Sequence, residues 1–194
     1  MIAFVTGRFV YKSPAVLHID VNGIGYEVQI SLNTYSKIQS LEKGTLYTWL
    51  HIKEDAHTLY GFFDLAEKNI FTQLISVNGV GTSTARMMLS AMLPDELAQA
   101  IAKGDAVRLE KIKGIGKKTA ERIILELKDK MGKTGFETTG SALINNTLEQ
   151  DALNALVALG IARNLAENAI KKASISASPA ENLESLIKKA LQLI

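Results

Sequence analysis

Leu74-Ile75-Ser76-Val77-Asn78-Gly79-Val80-Gly81-Thr82-Ser83-Thr84-Ala85 returns, at an offset of 35, as Leu109-Glu110-Lys111-Ile112-Lys113-Gly114-Ile115-Gly116-Lys117-Lys118-Thr119-Ala120. Five of these positions are identical, and Val77/Ile112 and Val80/Ile115 are conservative exchanges. Apolar residues at helical spacing precede each Gly-x-Gly and a Thr-Ala follows it, so each copy reads as two helices joined by a tight turn. Glycine suits such a turn because it adopts φ values that side chains resist. The apolar residue between the glycines, Val80 or Ile115, anchors the turn in a core.

This is the helix-hairpin-helix pattern. Its bare glycines let a phosphate approach the backbone, and the free N–H groups and dipole at the start of the second helix favour an anion. DNA phosphate contact is therefore assigned to Gly79, Val80, Gly81 and Thr82 in the first copy. In the second it falls to Gly114, Ile115, Gly116, Lys117, Lys118 and Thr119. Nothing in either copy is placed to read base edges, so binding is expected to be independent of sequence. One Gly-x-Gly alone would be an interhelical turn and no more; two in matched settings, with lysines beside one, point to a shared ligand. A dinucleotide fingerprint fails because Thr84 and Thr119 stand where its third glycine belongs and no strand precedes. A phosphate loop ending in Gly116-Lys117 fails at Lys111 and Lys118, where it needs glycine and a hydroxyl.

Charge agrees with a local contact. The net charge of +2 announces nothing. Residues 1–63 carry five basic and five acidic side chains, as do residues 148–194, whereas 64–130 carry eleven and nine. Arg108, Lys111, Lys113, Lys117 and Lys118 face the single Glu110 between them. A basic patch on a nearly neutral chain suits a defined nucleic-acid contact. The chain has no cysteine, which excludes disulfides and thiolate zinc and suits a reducing compartment. His18, His51 and His57 lack partners at ligand spacing, so neither a metal nor a cofactor is expected. No apolar run reaches the ~18 residues of a membrane span, and the start shows no export signal, so a cytoplasmic protein is expected.

Outward from the repeat, residues 1–63 read as strands. Leu17, Ile19 and Val21 alternate with polar residues, Asn22-Gly23 suits a tight hairpin, and Tyr26, Val28 and Ile30 resume the alternation. A short helix over 33–41 and strands over 46–52 and 58–63 complete a five-stranded barrel of the OB type, although other small barrels share the pattern. Asp64 and Glu67 suggest a capping box where the helices begin. The expected domains are the barrel, 1–63; the tandem motif, 64–130; a Gly/Ser/Thr/Asn-rich linker, 131–147; and three helices, 148–194. The last helix is expected to open with Ser178 as N-cap, Pro179 and Glu181. The fold class is α+β and multidomain.

This layout resembles that of the RuvA family over essentially the whole chain. The resemblance rests on Met1-Ile2-Ala3 with Thr6-Gly7, Gly25-Tyr26-Glu27-Val28, and Glu54-Asp55 before Leu59-Tyr60-Gly61-Phe62. It also rests on Val77-Asn78-Gly79-Val80-Gly81 and Gly114-Ile115-Gly116-Lys117-Lys118-Thr119-Ala120-Glu121-Arg122. It implies a non-enzymatic homotetramer that holds a four-way (Holliday) DNA junction open in recombination, repair and the SOS response to DNA damage. Two tetramers on one junction are an alternative assembly. The RuvB motor, hydrolysing ATP, would dock within 148–194 on a bundle similar to ubiquitin-associated domains, with the RuvC resolvase as a further partner. Glu54 and Asp55, by composition two solvated turn residues, would form an acidic pin at the junction centre.

Two other classes compete. A helix-hairpin-helix glycosylase or nuclease needs a catalytic carboxylate or lysine in a pocket, and no acidic cluster is placed for one. A single-strand binder of the OB type needs exposed aromatics on the barrel, for which Tyr47, Trp49 and Tyr60 are candidates, although each could equally be core or a subunit contact.

Overall fold

Asn22 and Gly23 both take positive φ, 52° and 91°, and close the hairpin between β2 (Val16–Val21) and β3 (Ile24–Ile30). This is the turn geometry that matches strand twist. β1 (Phe4–Lys12) pairs antiparallel with β2 on one side and with β4 (Lys43–Ile52) on the other. β5 (His57–Phe62) pairs antiparallel with β4 and parallel with β3, closing a barrel in the order β1-β2-β3-β5-β4. In the computed structural model residues 1–133, 148–175 and 182–194 are described.

The expected alternation holds: Leu17, Ile19, Val28 and Ile30 are buried in the barrel with Val5, Phe9, Leu46 and Leu59. β4 begins at Lys43, earlier than expected, because Lys43 and Gly44 pair with Arg8 and Gly7 without an apolar pattern of their own. The short helix α1 (Leu32–Ile38) ends before Leu41.

β5 serves two cores. Leu59 faces the barrel interior, whereas Tyr60 and Phe62 join the helical core. There they meet Phe71, with ring centroids at 5.2 and 4.9 Å. Burying a side chain of that size stabilises by roughly 1.5–3 kcal/mol. Gly61 between them cannot carry a side chain, since its Cβ would lie 2.4 Å from Val28 Cγ1. The shared strand welds barrel and helices into one unit, Met1–Phe136.

The helices are α2 (Leu65–Ile75), α3 (Thr82–Ala91), α4 (Pro94–Lys103), α5 (Ala106–Glu110) and α6 (Lys117–Lys133). Asp64 caps α2, accepting from the Glu67 amide at 2.8 Å, so half of the expected capping box forms. The other half does not. The Glu67 side chain is fully buried and accepts from the Ser31 and Thr34 hydroxyls, the latter at 2.7 Å. Two hydroxyl donors at the start of α1 hold the carboxylate better than one backbone amide would. α6 runs three residues into the expected linker, and the remainder of that linker lies outside the described residues.

The second unit, Glu137–Ile194, packs α7 (Leu148–Ala158), α8 (Arg163–Ile175) and α9 (Leu183–Gln192) around Leu153, Leu156, Ala166, Ile170 and Leu186. Gly160, at φ 89°, turns α7 into α8. α9 starts later than expected. Asn182 is its N-cap, accepting from the Ser185 amide at 2.9 Å, while Ser178, Pro179 and Glu181 lie outside the described residues. A side-chain carbonyl positioned for the free amides supplies the cap that Ser178 was expected to give.

Candidate nucleic-acid interface

The two Gly-x-Gly turns have one geometry. In the first, the Val77 amide donates to Leu74 O at 3.1 Å and the Val80 amide to Val77 O at 3.0 Å; in the second, Ile112 donates to Leu109 O at 3.1 Å and Ile115 to Ile112 O at 3.0 Å. Gly79 and Gly114 take φ of 90° and 89°. Val80 and Ile115 are buried to the same degree, 5% exposed, and anchor the turns as expected. Their amides are spent on closing the hairpin, so what they contribute is position. The amides of Gly81 and Thr82, and of Gly116 and Lys117, make no backbone bond among the described residues and start α3 and α6. These are the free donors a helix start offers an anion.

Gly81 has φ −82°, within reach of any residue, and a Cβ built there would meet nothing within 4 Å. Gly116 likewise has open space before it. No neighbour in the chain requires glycine at either position, whereas a group arriving from outside would.

Lys111, Lys113, Lys117 and Lys118 are all exposed around the second turn. Arg108, grouped with them by sequence, is instead paired with Glu96 at 3.2 Å, so the free cationic excess lies in the lysines. Thr119 is half-buried, and its amide donates to Gly116 O at 3.0 Å. Glu54 and Asp55 are exposed at the tip between β4 and β5, where the Lys53 amide donates to Ala56 O at 2.8 Å.

None of the three candidate aromatics lies fully exposed on the barrel. Tyr60 is buried, and Trp49 packs against Tyr60 and Phe71 with centroids at 6.2 and 5.6 Å. Tyr47 is half-buried.

Three contacts had no sequence signal, because each joins elements distant in the chain. The Tyr60 hydroxyl donates to Thr82 Oγ1 at 2.9 Å. Arg86 of α3 donates to Ala15 O at 3.1 Å and to the Gln29 side chain. Arg122 of α6 donates to Asn78 O in the first turn at 3.3 Å.

Three family models match the chain: the RuvA N-terminal domain over residues 1–61, the SAM-like helix-hairpin-helix tandem over 71–129, and the RuvA C-terminal domain over 147–194. Among curated relatives, a Cytophaga hutchinsonii protein is 44% identical, with all of both chains covered. A Christiangramia forsetii protein is 46% identical over 99% of each chain. A Geobacter sulfurreducens protein is 42% identical over 100% of this chain and 99% of its own. Each bears the name Holliday junction branch migration complex subunit RuvA.

Proposed function

We propose a role in gripping Holliday junctions for this chain, which belongs to the RuvA family of branch migration complex subunits. It is a DNA-binding subunit that acts on four-way junctions in recombination and repair, together with a partner subunit. The observation that carries the reading is the duplicated turn. Two hairpins with the same bonds, the same positive φ and the same buried anchor each open a helix start toward solvent. Backbone amides grip any phosphate, so the contact positions DNA without reading bases.

The finer assignments are part of the proposal. Gly79, Gly81, Thr82, Gly114, Gly116, Lys117, Lys118 and Thr119 line the phosphate contacts, with Val80 and Ile115 setting the turns. Four copies assemble around the junction centre and bring Glu54 and Asp55 there as the acidic pin. The partner motor hydrolyses ATP and docks on the C-terminal unit, and the resolvase shares the junction. The setting is the cytoplasm, and no described helix is long and apolar enough to cross a membrane.

The test is competition. A labelled four-way junction bound to the protein is challenged with linear duplex and with single strand. The junction should be retained, and displacement by single strand at equal strand concentration would overturn the reading. Replacing Lys117 and Lys118 with alanine should weaken binding uniformly across sequences. It should also lower the salt slope by about one for each phosphate no longer gripped.

A further inference from the structure

The two hairpins share a backbone but not a chemistry. At the repeat offset, Lys111, Lys113, Lys117 and Lys118 of the second copy correspond to Ser76, Asn78, Thr82 and Ser83 of the first. Every lysine has a neutral polar counterpart. The one cation near the first turn on its own helix, Arg86, is spent on Ala15 O and Gln29 of the barrel.

The first copy has what the second, among the described residues, lacks: a brace from the barrel. Tyr60, 7% exposed and packed at 5.2 Å against Phe71, directs its hydroxyl to Thr82 Oγ1 at 2.9 Å. The hydroxyl of Thr82 makes no other hydrogen bond among the described residues. Its oxygen accepts the phenolic proton, which leaves its own proton to donate outward. That proton sits beside the free amides of Gly81 and Thr82 at the start of α3. One turn further along α3, Arg86 holds the same helix to the barrel a second time. Arg122 reaches across from α6 to the Asn78 carbonyl and keeps that acceptor from facing an anion alone.

We propose that Tyr60 is a positioning residue for the first phosphate contact: it aims the Thr82 hydroxyl, so that the first hairpin grips as a rigid neutral clamp while the second grips by charge. The inference rests on the phosphate-clamp role proposed for the hairpins. A preorganised hydroxyl gives up little freedom on binding, whereas flexible lysines give up more and are screened by salt. The brace also ties grip to pin. β5 runs directly from the tip bearing Glu54 and Asp55 to Tyr60. Tyr60 is the fourth residue of β5, three strand steps of about 3.3 Å, roughly 10 Å, from His57 where the tip ends. The first hairpin thereby indexes the DNA backbone against the barrel, and the second supplies attraction.

The test uses the full chain and a labelled four-way junction, with thermal melting to check each variant. Tyr60→Phe keeps the ring in its aromatic cluster and removes only the hydroxyl. It should weaken junction affinity by roughly 3- to 10-fold, the worth of one neutral hydrogen bond. The salt slope should not change, because no charge is removed. Thr82→Val should cost as much, Thr82→Ser should restore binding, and the double variant Tyr60→Phe/Thr82→Val should be no weaker than either single one. Wild-type affinity in a folded Tyr60→Phe protein would overturn the proposal. So would losses that multiply in the double variant, because Tyr60 would then act by a route other than Thr82. A normal fall in salt slope for the Lys117/Lys118 double alanine alongside either result would leave the clamp role standing and remove only the brace.

Discussion

Glu67 is a carboxylate that forms no ion pair among the described residues, buried where α2 meets α1, and its reason for being there is geometric. Ser31 Oγ accepts from the Thr34 amide at 3.0 Å and donates to Glu67; Thr34 Oγ1 accepts from the Phe63 amide at 3.0 Å and donates to the other carboxylate oxygen. Each hydroxyl thus relays a backbone donor to the carboxylate, joining α1, the end of β5 and α2. Burial pushes the Glu67 carboxyl above its usual 4.5; the two hydroxyl bonds pull the other way, nearby Asp64 raises it and Lys37 lowers it. The sign for stability follows. A raised folded-state pKa means the folded chain holds this proton more tightly than the unfolded chain does. The contribution therefore favours folding below the ordinary carboxylate range and is lost as pH rises through the raised value. Glu67→Gln should flatten the fall in stability between mildly acidic and neutral pH, read from urea midpoints. An undiminished fall would assign that dependence to other groups. Glu67→Ala should cost about 1–3 kcal/mol, more at mildly acidic than at neutral pH, since both hydroxyls lose their acceptor.

Among the elements, the hairpins separate two uses of glycine. Gly79 holds φ 90°, and a Cβ there would touch nothing within 4 Å, so only its conformation demands glycine. Gly81 has an ordinary φ of −82° and equally open space. Gly79→Ala should therefore lose about 1–2 kcal/mol of stability through left-handed strain, with binding falling because the turn deforms. Gly81→Asn should behave oppositely. Asn is a favoured N-cap, so the melting temperature should hold or rise, yet its bulk stands where a phosphate would come and junction affinity should drop. Melting curves and junction titrations of the two variants check this pairing. Equal binding by a stable Gly81→Asn protein would show that the bare surface has no ligand.

For the whole molecule, the acidic tip matters only in an assembly. One exposed Glu54-Asp55 pair on one chain is a weak, screened charge. In the proposed tetramer the pairs converge, and repulsion from phosphate is strongest where water is excluded. A junction opens its centre and avoids the acids, whereas a straight duplex must cross them, so the charges disfavour the wrong substrate. Replacing Glu54 with Gln and Asp55 with Asn should raise duplex affinity more than junction affinity. The difference should shrink at high salt, since exposed charges are screened beyond ~8–10 Å at physiological strength. The ratio of junction to duplex dissociation constants, measured at two salt concentrations, reads this directly. A constant ratio would return both residues to solvated turn positions.

Local regularities were legible without a structure. Alternation in β2 and β3, the Asn22-Gly23 turn and the repeated Gly-x-Gly each depend on φ preferences and apolar spacing within a few residues, so the chain carries them on its face. The duplicated motif, and with it the class of ligand, belonged to that legible part. Partnership between distant residues did not. Glu67 satisfies the spacing of a capping box, yet its side chain turns inward because Ser31 and Thr34, 36 and 33 residues away, come to lie beside it. The cap of α9 moved to Asn182, and Lys43 joined a strand because Arg8 pairs with it. Tyr60 could by sequence be a surface, core or subunit-contact residue; only the packing of β5 between two cores buries its ring and turns its hydroxyl toward Thr82. Spacing encodes which elements form, because that is decided by neighbours in the chain. Tertiary contact decides which polar groups meet, because a buried donor or acceptor takes the strongest partner within reach, whatever its distance in sequence.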